Sequence, residues 1–136
     1  MTPKIARILI KGTSGFCSVY QAYSDKLTVA PDSISYEYKP YRESDAHRPF
    51  KWSYRTTNPT FRELFGRVAE KVAAILVQDE DGFATDVGPT TFVVTYDDKT
   101  RFQREFFGPD DRFTECFGLL QEMVPSLETV PKVIMT

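Results

Sequence analysis

The chain is poor in the residues that most often carry chemistry. Among its 136 residues there is one histidine, His47, and there are two cysteines, Cys17 and Cys116. A lone histidine and two distant cysteines do not supply the ligand spacing of a zinc site, so no metal and no cofactor is expected. The two thiols read as separate, not as a disulfide framework. Cys116 falls on the apolar face of a predicted helix, where a thiol packs like a small hydrophobe. An excess of one charge is also lacking: 17 Lys and Arg stand against 19 Asp and Glu, a formal net charge of −2. Nucleic-acid binders carry a basic footprint, so this balance argues against nucleic acid as a partner. No apolar run approaches the ~18 residues of a membrane span. The run Ile5–Ile10 is interrupted by Arg7 and has no small-residue cleavage site, unlike a signal peptide. Asn58-Pro59-Thr60 would be a glycosylation acceptor but for its central proline. These absences point to a cytoplasmic protein that does not enter a membrane.

What is plentiful is aromatic: 11 Phe, 7 Tyr and 1 Trp. Many of them sit in alternating runs, which suits a pleated, half-buried sheet. The runs Ile34–Lys39 and Phe50–Tyr54 alternate, as do Thr91–Tyr96 and Arg101–Phe107, so each pair predicts two strands. After each pair comes nearly the same phrase, FRELFGRVAEKV from Phe61 and FTECFGLLQEMV from Phe113. Phe61, Leu64, Phe65, Val68 and Val72 share a helical face, and Phe113, Cys116, Phe117, Leu120 and Val124 repeat it in register. Asn58 and Pro59 predict the start of the first helix, with Thr60 and Glu63 as a competing capping box. Asp110 holds the equivalent place before the second, and Pro125 must end that helix.

The chain therefore reads as one α+β domain over 1–136: an N-terminal strand region (1–33), a ββα unit (34–77), a second ββα unit (91–124) and a tail (125–136). The expected fold is an antiparallel sheet of six or seven strands with two helices on one face, a duplicated ββα unit plus an N-terminal β-hairpin. That hairpin is read as Ile5–Ile10, a turn at Gly12–Gly15, then Phe16–Tyr23 with a further strand at Leu27–Ala30. The tail's Val133–Met135 is read as packing back in an extended segment. Gly66 and Gly118 fall inside the helices, where glycine costs about 1 kcal/mol relative to alanine. With Ala69 and Ala73, Gly66 makes a narrow strip that predicts close approach by the other helix, or failing that by a second chain.

The candidate sites are few. The repeated glutamates, Glu63 and Glu70, then Glu115 and Glu122, fall on the outward helical stripe and read as solvated, not as a catalytic pair. Gly12-Thr-Ser-Gly15 lacks the spacing and the following helix of a phosphate loop. Asp79-Glu-Asp-Gly82 with Asp86 lacks the ligand order of a calcium loop. Lys39, Tyr41, Arg42, Arg48, Lys51 and Arg55 gather around the Ile34–Tyr54 hairpin, where cations beside tyrosines suit an acidic partner or stacking against bases, and where charge also keeps a sheet edge from unwanted pairing. Gly15–Tyr20 and Asp86–Thr91 resemble pieces of small bacterial α+β domains of unknown function, a resemblance that implies the architecture and no site. Two functions remain, with nucleic-acid binding through the basic hairpin, which salt-dependent affinity would reveal, as a third. The first is a non-catalytic binding module that meets a protein partner or a second copy of itself. The other is a small enzyme using His47 with Cys17 or a nearby carboxylate, which requires His47 in a concave pocket.

Overall fold

The computed structural model describes residues 4–13, 22–42, 48–77, 89–107, 113–125 and 134. Its elements follow the order β1 (Ile5–Thr13), β2 (Tyr23–Ala30), β3 (Ser33–Pro40), β4 (Phe50–Arg55), α1 (Pro59–Leu76), β5 (Pro89–Tyr96), β6 (Arg101–Phe107) and α2 (Thr114–Met123). The six strands form one antiparallel sheet in the order β4-β3-β2-β1-β5-β6. This is the expected α+β fold, and strand-strand-helix occurs twice, as β3-β4-α1 and β5-β6-α2. The N-terminal pair β1 and β2 lies at the centre, so each edge leads inward through one of those strand pairs.

Register explains why the alternation reads so cleanly. Tyr54, Ile34, Val29, Ile8, Val94 and Phe102 line up across the sheet, and so do Trp52, Tyr36, Leu27, Ile10, Phe92 and Arg104. These rows face the helices. From α1 they meet Phe61, Phe65, Val68, Val72, Ile75 and Leu76, and from α2 Cys116, Phe117, Leu120 and Met123, all buried. Ile134 in the tail is also fully buried, and its carbonyl accepts from Gln121 Nε2 at 2.9 Å. Arg104 is the one cation on these inner rows. Its Nη1 donates to the Leu76 carbonyl at 2.7 Å, and its guanidinium lies 5.1 Å over the Phe106 ring. It so satisfies a carbonyl at the C-terminus of α1, where a positive charge suits the helix dipole.

Helix α1 starts as expected: Asn58 Oδ1 accepts from the Thr60 N–H at 2.9 Å and Pro59 takes the first position. The second helix starts differently. Its N-cap is Phe113, with no side-chain cap bond, and Asp110 lies outside the described residues. A buried ring packed 5.3 Å from both Phe92 and Phe117 holds this end where a polar cap was expected. The β5–β6 turn is a three-residue loop in which Tyr96 O accepts from Lys99 N and Tyr96 N donates to Thr100 O, each at 2.9 Å. Lys99 takes the left-handed conformation (φ 71°) that such a bulged turn demands.

Three expectations for local structure are corrected. Gly12 and Thr13 belong to β1, not to a turn; Gly12 is buried opposite Asp25. The second strand is continuous over Tyr23–Ala30, running through Ser24-Asp25-Lys26, which the sequence reading left as a break. The glycine strip does not receive α2. Helix α2 lies along the other edge of α1, where Lys71 pairs with Glu115. Gly66, Ala69 and Ala73 instead border an open groove of about 840 Å³ between α1 and Ile5, Pro31, Tyr96 and Phe102.

A methyl group added at Gly66 or Gly118 would meet no atom within 4 Å. Gly66→Ala and Gly118→Ala are therefore each expected to stabilise the fold by about 0.5–1 kcal/mol through helix propensity. Urea midpoints that fall in both variants would show that these glycines do admit another backbone.

Candidate interaction surface

One sheet face is covered by helices; the other carries the alternate residues of every strand. The row opposite the core reads Lys51, Glu37, Lys26, Lys11, Thr91 and Glu105 from edge to edge. Arg7, Lys39, Arg55 and Arg101 occupy further positions on the same side by parity. All seven cations are exposed. Set against Glu37 and Glu105, the only carboxylates at described positions of this face, they leave an excess of 7 − 2 = +5. The whole chain is −2, so everything else sums to −2 − 5 = −7. Charge is thus strongly segregated in a protein whose total is nearly neutral.

Between the cations lie hydroxyls: Thr13, Ser24, Thr28, Ser33, Ser35, Ser53, Thr91 and Thr95. Leu9 and Val93, half-buried, are the larger apolar residues at the centre. Glu37 lies 3.4 Å from Lys26 Nζ and 3.6 Å from Lys39 Nζ. Burial pulls the Glu37 carboxyl upward, but the two ammonium groups outweigh it and hold it below its ordinary value. Among the described residues no carboxylate comes within ion-pair distance of Arg7, Lys11, Lys51, Arg55 or Arg101.

Of the six residues singled out in the sequence, Lys39, Lys51 and Arg55 join this face. Tyr41, Arg42 and Arg48 sit at the connection between β3 and β4 instead; all are exposed, Tyr41 by 75%. Sequence reasoning missed Arg7, Lys11, Lys26 and Arg101. Their signal was alternation within each strand, but only register places them side by side. His47 and Cys17, and with them the Asp79–Asp86 run, lie outside the described residues.

A second cluster went unforeseen on the helix side. Asp25, only 5% exposed, accepts a hydrogen bond from the Tyr36 hydroxyl at 2.7 Å. Burial first, and then the nearby Asp25 charge, pushes the Tyr38 phenol above its ordinary value. Tyr38 in turn stacks 5.2 Å from Phe50 and lies 5.3 Å from Tyr23. A buried carboxylate needs such hydrogen bonds to offset desolvation, so Asp25 ties β2 to β3. The repeated glutamates are also engaged more than expected: Glu63 pairs with Arg67 at 3.5 Å, and Glu115 with Lys71 across the helices. Among the described residues no three His, Cys, Asp or Glu side chains gather as metal ligands would, and no helix is long and apolar enough to cross a membrane. No family model matches this chain, and no curated protein is significantly similar to it.

Proposed function

We propose that this chain is a non-catalytic cytoplasmic binding module, whose open sheet face engages an acidic surface of a protein partner. The observation that carries this reading is the +5 excess on one face of a chain whose total charge is −2. Cations interleaved with hydroxyls suit carboxylates, and a complementary field steers such a partner onto the face. A single-stranded nucleic acid is the weaker fit, because its bases stack on aromatic platforms and the two rows that cross this face, through Lys11 and through Leu9, hold no aromatic residue. A second copy does not fit here either, since a two-fold interface sets each patch against itself and would oppose +5 to +5. We also read the scaffold as a duplicated ββα unit. Phe61, Phe65 and Val68 are buried at the places taken by Phe113, Phe117 and Leu120, and Gly66 and Gly118 are exposed at matching places.

The test uses a polyglutamate peptide as probe. Lys51→Glu combined with Arg55→Glu takes the face from +5 to +1. The variant is expected to bind the peptide at least roughly tenfold more weakly, about 1.4 kcal/mol, and wild-type affinity should fall as salt rises. Equal affinity in wild type and variant would remove this face as the site. Tighter binding of an oligonucleotide than of the peptide would replace the protein partner by nucleic acid.

A further inference from the structure

The sheet has two edges, and they differ in what they offer. Strand β4 carries Lys51 and Arg55 on its open-face side and no carboxylate, the usual way in which charge discourages edge pairing. Strand β6, Arg101–Phe107, has no proline, glycine or bulge, and among the described residues it pairs with β5 alone. On its open-face side stand Arg101, Gln103 and Glu105, all exposed; on the helix side Phe102 is 45% exposed.

The backbone fixes which β6 groups point outward. Tyr96 and Thr100 form a hydrogen-bonded pair at the turn, with Tyr96 N donating to Thr100 O. Antiparallel ladders alternate bonded and non-bonded pairs. It follows that Phe102 and Arg104 turn their N–H and C=O groups toward β5, while Arg101, Gln103 and Glu105 turn theirs toward the open edge. A second β6 running antiparallel must therefore bond through odd-numbered residues. Centring the pair on Gln103 sets Arg101 opposite Glu105 of the second copy, and Glu105 opposite Arg101 of the second copy. Shifting the centre to Arg104 puts that arginine against itself, and shifting it to Phe102 leaves Arg101 facing Gln103. Only the Gln103 register gives two ion pairs. It also lays the exposed Phe102 ring beside the Arg104 stem of the second copy.

We infer that two copies of this chain associate through β6, antiparallel about Gln103, into one continuous twelve-stranded sheet. The inference is distinct from the acidic-partner reading: it uses the backbone of the sheet edge, and of the charges counted on the face it engages Arg101 and Glu105 alone. It has a consequence for that reading: the two basic faces become one, so that an elongated acidic partner could engage both.

Sedimentation across micromolar to submillimolar concentrations tests the association. Wild type is expected to be dimeric. Arg101→Glu should shift it to monomer with unchanged circular dichroism, and Arg101→Glu combined with Glu105→Arg should restore the dimer. In a Cys17→Ala background, Gln103→Cys should form an intermolecular disulfide under oxidised glutathione, since bonded pairs lie about 5.5 Å apart at Cα. Arg101→Cys should not, its two copies being separated by about 14 Å along the strand. A wild type that stays monomeric overturns the inference, and if it still binds polyglutamate the proposed function stands. A dimer unaffected by Arg101→Glu, or not restored by the charge swap, places the interface elsewhere and overturns it equally.

Discussion

Replacing Phe117 by alanine is expected to cost about 4–5 kcal/mol, near the top of the range for truncating a buried phenylalanine. The ring is 4% exposed and lies 5.3 Å from Phe113 and 6.4 Å from Phe92, both buried themselves. Rings held by other rings in a sheet–helix layer cannot collapse inward easily, so most of the vacated volume would remain as cavity. Phe65 has the same burial but borders the open groove beside Gly66. Phe65→Ala should therefore merge its cavity with that groove, admit water and cost nearer 3 kcal/mol. Glu122→Ala, on the exposed side of α2, should stay within about 0.5 kcal/mol. Urea unfolding of the three variants checks the order; a smaller loss at Phe117 than at Phe65 would mean that the α2 layer is the looser one.

Much of this architecture was legible because two periodicities coincide with two surfaces. Period 2 in Ile34–Lys39 and Thr91–Tyr96 and the 3-4 spacing from Phe61 and Phe113 both report which side meets the core, and burial follows them with few exceptions, such as Thr91, buried on the open face, and Leu64 and Val124, only partly buried. What escaped was decided by pairing across the chain. Asp25 breaks a strand by propensity, yet it sits inside β2 because β3 brings Tyr36 to it, and that partner is set by register. Gly12 read as a turn for the same reason. The glycine strip on α1 misled in another way: small residues permit close approach without requiring it, and α2 took the Lys71 edge.

The candidate surface was legible only in part, and the reason is electrostatic. Each strand except β5 carries one or two outward cations, which taken singly look like the ordinary solvated side of a half-buried sheet. Their sum appears when β4, β3, β2, β1 and β5 are laid side by side, bringing Lys51, Lys26 and Lys11 into one row with Glu37 between them. Net charge concealed the patch, because acidic residues elsewhere offset it.

Alkali is expected to weaken the fold through Cys116. Its thiol is fully buried beneath α2, and burial pushes it from its ordinary 9.0 up to about 12, with the Lys71 ammonium acting weakly the other way. At pH 8 the thiol holds its proton in both folded and unfolded chains, so its contribution to stability is complete. Above pH 9 the unfolded chain releases that proton while the folded chain keeps it. Stability then falls by about 1.4 kcal/mol per pH unit until the folded thiol also ionises near pH 12. Between pH 8 and pH 11 the loss should be on the order of 2–3 kcal/mol. The Tyr38 phenol, also raised, adds to it with the same sign. Cys116→Ala separates the thiol from the other groups that titrate in this range. The variant begins from a lower stability at pH 8, because a small cavity opens under α2, but it should lose less on going to pH 11. Urea unfolding at the two pH values gives both differences. Parallel losses in wild type and variant would mean that the thiolate is accommodated as well in the folded chain as in the unfolded one, and that α2 does not shield it from water.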